Sequence, residues 1–237
     1  MTPSGPAKAF LLAAGLGTRL RPLTDRTPKC LVPIGGRPLL HWWLVVCERL
    51  GVREILLNTH HLAEQVRDFV KAEKSALSIQ LSHEKSLLGS AGTLAANKDF
   101  VRGEQDFWII YADTLIGADL MPLARLHRAE KADLTLGVFR SEDPKSGGVV
   151  ELSPAGKILS FEEKPKRPKS DLVAAGVYVG GPALLKALPM GAGDLSHDVY
   201  PKLMSKAYGV VIDPVIDLGT TENYERASRE WGRFGLG

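Results

Sequence analysis

Leu11-Leu12-Ala13-Ala14-Gly15-Leu16-Gly17-Thr18-Arg19-Leu20 is a short apolar run that stops at glycine. Such a run reads as a buried strand, here Ala9 to Ala14, entering a turn. Glycines let a backbone approach a phosphate closely and turn its amides inward as donors. A dinucleotide-binding loop wants a third glycine at position 20, where this chain has Leu20, and the Gly-Lys-Ser/Thr of a P-loop is absent. What remains is a glycine turn carrying a cation, Arg19. A second cation, Lys29, follows in Thr27-Pro28-Lys29-Cys30. Arginine offers a fork to pyrophosphate oxygens, and lysine a point charge to a single phosphoryl group. From this loop alone, an ordinary βα turn with solvated Arg and Lys is equally open.

Outward from the loop, apolar runs alternate with amphipathic stretches, the pattern of an α/β fold. Strands are expected at Glu54–Asn58, Ile79–Ser82, Phe107–Tyr111 and Leu134–Phe139. Helices are expected at Pro38–Leu50, with Pro38 in its first turn, at Leu62–Val70 and at Leu120–Arg128. Gly89 to Gly92 reads as a loop. Val149–Leu152, Ile158–Phe161 and Val173–Val179, broken by turns such as Pro154-Ala155-Gly156, read as a meander or small inserted sheet. Helices near Pro182–Leu188 and Ser196–Met204, a strand at Val215–Leu218 and a helix from Thr221 to Trp231 follow. The expected fold is Rossmann-like: a mostly parallel sheet flanked by helices, with a small additional sheet. With no linker-like stretch, residues 1–237 read as one domain, with lobes at about 7–140 and 141–230. Ligands of such sheets bind beyond the carboxyl ends of strands. Gly15, Asn58, Asp113 and, if its strand joins the sheet, Asp217 stand at such ends.

Composition narrows the class. The chain has 237 residues, 44% hydrophobic and 24% charged, with a net charge of +3. Lys and Arg are scattered, which argues against nucleic acid as a partner. No apolar run has the length of a membrane span. Met1–Pro6 lacks the regions of a signal peptide and reads as a short tail. Two cysteines, Cys30 and Cys47, are too few for a disulfide framework, so a cytoplasmic location is expected. Cys30 reads as packing, since no partner base is evident. His60 and His61 are adjacent on an extended segment and point apart. His83, His127 and His197 lack ligand spacing. Trp42 and Trp43 read as helix packing, and no Ser/His/Asp set can be assembled from order alone.

Gly15-Leu16-Gly17-Thr18-Arg19 with Pro28-Lys29, continued by Leu31-Val32-Pro33-Ile34-Gly35-Gly36-Arg37-Pro38-Leu39, resembles the signature of sugar-1-phosphate nucleotidyltransferases. Further segments resemble that family in its order, from about residue 7 to 230. They are Gly89-Ser90-Ala91-Gly92-Thr93-Leu94, Tyr111-Ala112-Asp113, Ser160-Phe161-Glu162-Glu163-Lys164-Pro165 and Asp217-Leu218-Gly219-Thr220. The resemblance implies nucleotide contacts at Leu12, Ala14, Gly15, Gly17, Thr18, Glu84, Gly89 and Gly92. It implies catalytic roles for Arg19, Lys29 and Asp113, and Mg²⁺ on Asp113 and Asp217. It implies sugar-phosphate contacts at Gly148, Glu163 and Lys164. Read without it, Glu84 is a surface acid, Asp217 a helix-start acid beside a Thr220 or Thr221 cap, and Glu162–Lys164 a solvated strand end.

The chain departs from the family pattern at Cys30 for proline, Gly147 for tyrosine and Ala174 for asparagine, the last two on the sugar side. It stops soon after the core, so the second domain that relatives with a long left-handed β-helix carry is not expected in these residues. Implied substrates are a nucleoside triphosphate and a sugar 1-phosphate, with pyrophosphate released and oligomeric state open, a homodimer included. Glu84, Thr59-His60-His61-Leu62 and the short core favour GTP and a manno-configured hexose or heptose 1-phosphate. A carboxylate can accept two donors from guanine but one from uracil or thymine. Uridylyl or thymidylyl transfer, including to N-acetylmuramic acid 1-phosphate, is the alternative. A catalytically inactive sensor of nucleotide sugars would be expected to lose a charged position, and Arg19, Lys29, Asp113, Lys164 and Asp217 are all present.

Overall fold

The computed structural model describes residues 5–236, so the tail expected at the start lies, through residue 4, outside the described residues. In chain order the elements are β1 (Lys8–Leu12), β2 (Pro33–Ile34), β3 (Arg37–Pro38), α1 (Leu39–Arg49), β4 (Glu54–Thr59), α2 (Ala63–Ala72), β5 (Ser78–His83) and α3 (Gly89–Ala96). Then come β6 (Phe107–Tyr111), β7 (Thr114–Ile116), α4 (Met121–Ala129), β8 (Leu134–Arg140), β9 (Gly148–Leu152), β10 (Ile158–Glu163) and β11 (Leu172–Gly180). The last are α5 (Pro182–Ala187), α6 (Tyr200–Leu203), β12 (Ala207–Val211), β13 (Val215–Asp217) and α7 (Thr221–Glu230). They build two compact units that alternate along the chain. The amino-terminal unit takes Ala7–Leu87, Ile110–Ala118 and Asp213–Gly237, and the central unit Leu88–Ile109 and Asp119–Ile212.

In the amino-terminal unit β1, β4 and β5 pair in parallel, with Leu12 opposite Asn58 and Asn58 opposite Ser82. Phe10, Leu11, Ile55, Leu56 and Leu57 are fully buried. Burial on both faces is why these strands read as unbroken apolar runs rather than alternating ones. Helix α1 buries Leu39, Leu40, Trp42, Trp43, Val46 and Cys47. Each indole N–H finds a carbonyl, Trp42 at Ile34 (2.8 Å) and Trp43 at Thr114 (2.9 Å), so both tryptophans pack as the sequence suggests. Pro38 ends β3 and precedes α1 instead of occupying its first turn. The β13 strand does not join the parallel sheet. It pairs with β7 in a separate antiparallel ribbon, Asp217 opposite Thr114.

In the central unit the set of strands expected over 149–179 is present and pairs antiparallel, in the order β10-β9-β11. It is longer than expected, because β8 pairs with β11 and the parallel strand β12 pairs with β8. Its two ends approach each other: Lys157 bridges to Tyr208, and Gly209 N–H donates to Gly156 O at 2.8 Å. Helix α4 lies against β8 at Gly137, where Leu123, Val177 and Ile212 fill the space a Cβ would need. Gly89–Gly92 is a first helical turn, not a loop. No helix among the described residues is long and apolar enough to cross a membrane.

Candidate active site

In the amino-terminal unit, β1 delivers the chain into the glycine turn beside Asn58. Gly17 sits at φ +64°, and a Cβ there would stand 2.9 Å from Thr24 Cγ2 and 3.3 Å from Lys29 Cβ. Thr24 Oγ1 and the Leu20 amide both donate to the Gly17 carbonyl, at 2.8 and 2.9 Å. Gly17 is therefore required by its left-handed backbone and by close packing. Gly15 differs: nothing of the chain lies within 4 Å of its missing Cβ. Thr18 and Arg19 follow in a single exposed turn, while Leu12 and Ala14 are buried.

Two carboxylates converge on this turn. Asp113 follows β6, and its carbonyl accepts from Leu218 N–H at 3.0 Å. The β7–β13 ribbon thereby brings Asp217 beside Asp113, although the two strands leave the parallel sheet. Lys29 Nζ donates to Asp113 Oδ2 at 2.8 Å. A Cβ on Gly219 would stand 3.0 Å from Asp217 Oδ2 and 3.1 Å from Arg19 Nη2, so Arg19 reaches the same corner. Burial raises the Asp217 carboxyl above its ordinary value and the charge of Asp113 adds to this, while Lys29, Arg19 and the Gly219 amide oppose it. Thr220 Oγ1 accepts from Asn223 N–H and caps α7, which leaves Asp217 free of that duty.

Glu84 is buried, not a surface acid. Asn58 Nδ2 donates to its Oε1 at 2.8 Å, and Asn58 Oδ1 accepts from Ala13 N–H at 2.6 Å. One asparagine thus ties the glycine turn to the carboxylate. Asn58 was legible as a polar strand end, but nothing in the sequence assigned it a partner. His60 Nδ1 lies 2.8 Å from the Glu84 carbonyl and His61 Nε2 lies 3.0 Å from that of Thr24. Cys30 and Cys47 are buried, and burial pushes each thiol up to about 12.

The central unit holds the remaining expected residues. Gly89 has φ +73°, and a Cβ there would stand 2.4 Å from Gly193 O. That carbonyl accepts from the amides of Ala91 (2.9 Å) and Gly92 (3.2 Å), and Ser90 Oγ donates to Asp194 Oδ2 at 2.9 Å. Gly148 lies against Glu163, whose Oε2 would be 3.1 Å from a Cβ on it. Lys164, at φ +48°, donates its amide to Gly147 O at 2.9 Å, while its side chain is 63% exposed. Ala174 stands opposite Val138 on β8.

Comparison with known proteins shows the family. The family described as nucleotidyl transferase matches residues 8–232. The chain is similar to the mannose-1-phosphate guanylyltransferase catalytic subunit beta of Drosophila pseudoobscura pseudoobscura. The two are 32% identical over 205 residues, 85% of this chain and 55% of that protein. It is also similar to the UTP–glucose-1-phosphate uridylyltransferase of Synechocystis. That match is 33% identical over 242 residues, 94% of this chain and 62% of that protein. The chain spans between half and two thirds of the length of these curated relatives. The crystal structure of HddC from Yersinia pseudotuberculosis shares the fold, with a TM-score of 0.80 at 23% identity, covering 95% of this chain and 99% of that one.

Proposed function

Because the chain belongs to the nucleotidyl transferase family, we propose that it transfers a nucleotidyl group from a nucleoside triphosphate to a sugar 1-phosphate. The observation that carries this is the meeting of Arg19, Lys29, Asp113 and Asp217 beside a glycine turn. A sugar-phosphate oxygen attacks the α-phosphorus, the bond to the β-phosphate oxygen breaks, and pyrophosphate leaves with that electron pair. Both reactants are anionic, so the protein's work is positioning and charge neutralisation. Arg19 holds the triphosphate and the departing pyrophosphate, and Lys29 the nucleotide phosphate. On the central unit, Gly148 and Glu163 hold the sugar and Lys164 its phosphate.

The carboxylate pair fits Mg²⁺. It offers a few hard oxygen donors, and burial, with the neighbouring charge of Asp113 adding to it, raises the Asp217 carboxyl, so a cation there would be welcome. Asp113 and Asp217 would hold the ion, which supplies positive charge to phosphate oxygens. Glu84, buried and held by Asn58, is the base-reading carboxylate of this scheme, and it favours GTP. The preferred acceptor is a manno-configured hexose or heptose 1-phosphate, in line with the guanylyltransferase relative. The uridylyltransferase relative keeps UTP with another sugar 1-phosphate as the second reading. Buried thiols suit a reducing cytoplasm.

Pyrophosphate release over a matrix of triphosphates and sugar 1-phosphates tests the activity and ranks its substrates, with GTP and mannose 1-phosphate expected among the fastest pairs. Asp113→Asn and Asp217→Asn should each lower turnover by about a hundredfold or more with the fold intact. Near wild-type rates in both at saturating Mg²⁺ would remove the carboxylate assignment.

A further inference from the structure

Lys29 makes its ion pair with Asp113, one of the two carboxylates that the function proposed above gives to the cation. Its ammonium is 2.8 Å from Asp113 Oδ2, and its side chain is only 10% exposed. The lysine stem is confined, since its Cβ packs against Gly17. The four charges of this corner, Arg19, Lys29, Asp113 and Asp217, sum to zero without any ligand. A divalent ion approaching Asp113 must therefore compete with a positive charge already seated on it.

We propose that Lys29 is a resident counter-ion that keeps the carboxylate pair a poor metal site until a polyphosphate arrives. This rests on the carboxylate reading above. A phosphate gives the ammonium an alternative anionic partner and brings oxygens that complete a magnesium shell. Lys29 then moves from Asp113 to phosphate, and the carboxylate it leaves is open to the ion. The order of binding follows: the metal enters with the triphosphate, not before it.

The probe is Mn²⁺, followed by electron paramagnetic resonance on the full chain without nucleotide, so neither base nor sugar identity matters. Wild type should bind Mn²⁺ weakly. Lys29→Gln should bind it at least about tenfold more tightly, because the competing charge is gone. Lys29→Arg, which keeps the charge, should stay weak. Arg19→Gln removes a neighbouring cation that is not seated on Asp113, and should gain clearly less than Lys29→Gln. An affinity in Lys29→Gln no higher than wild type, or no measurable binding in it, overturns the proposal. Equal gains in Lys29→Gln and Arg19→Gln also overturn it, since net charge alone would then be at work. The underlying site fails separately: the double variant Lys29→Gln/Asp113→Asn should lose the gain, and retention of it would show that Mn²⁺ binds elsewhere.

Discussion

A buried asparagine that accepts on one side and donates on the other can satisfy both neighbours in only one orientation of its amide. Asn58 is in that position, between Ala13 N–H and Glu84 Oε1. Asn58→Leu would remove both contacts from a buried place, at a cost of about 1–3 kcal/mol for a polar group left unpaired. Asn58→Asp keeps an acceptor for Ala13 but sets two carboxyl groups against each other. Adding Glu84→Gln restores a donor between them, so the double variant should regain much of the lost stability. Urea midpoints for the two single variants and the double one decide this. No recovery in the double variant would mean that the pair is not coupled. At this scale the sequence was informative about chemistry and silent about partners. Arg19, Lys29, Asp113 and Asp217 could be named from their motifs, yet the Lys29–Asp113 ion pair joins residues 84 apart. Glu84 was open to reading as a surface acid because nothing local reports burial.

Among elements, the hairpin of β2 and β3 turns on Gly35 and Gly36, at φ +58° and +79°. The indole of Trp231 covers the first of them, and a Cβ on Gly35 would fall 2.2 Å from Trp231 Cε2, whereas nothing lies within 4 Å of one on Gly36. Gly36→Ala should cost about 1–2 kcal/mol for the left-handed backbone alone. Gly35→Ala carries that strain together with overpacking of about 1–3 kcal/mol. Melting temperatures should therefore fall further for Gly35→Ala, and equal losses would show that Trp231 yields freely. Long, strongly patterned elements were legible within a residue or two, α1 and β4 among them. Short ones were not. The hairpin strands and β7 are two or three residues each, too brief for any periodicity. Gly209 interrupts the apolar run of β12 and hid it. The two glycines of α3 argued for a loop, but Gly193 O takes the amides of Ala91 and Gly92 and holds the helical turn from afar.

For the whole molecule, acid stability should carry the mark of His127. Its Nδ1 lies 3.0 Å from Thr135 Oγ1, and burial lowers its pKa from 6.5, with Arg128 acting in the same direction and Asp106 and Asp133 opposing. The unfolded chain then binds more protons than the native one as pH falls below about 6.5. Stability from this group is fully present above that value, and is lost as pH drops toward the lowered native pKa. His127→Gln should flatten the change of urea midpoint between about pH 7.5 and 5.5. An unchanged slope would place the acid sensitivity elsewhere. The alternation of the two units along the chain has a temporal meaning as well. A ribosome releases Thr114–Ile116 long before it has made Val215–Asp217, so β7 must wait with one edge bare while the whole of Asp119–Ile212 is synthesised. The corner that gathers the four charges is therefore among the last places to close during translation. A truncated nascent product can hold a formed parallel sheet and still lack half of its carboxylate pair.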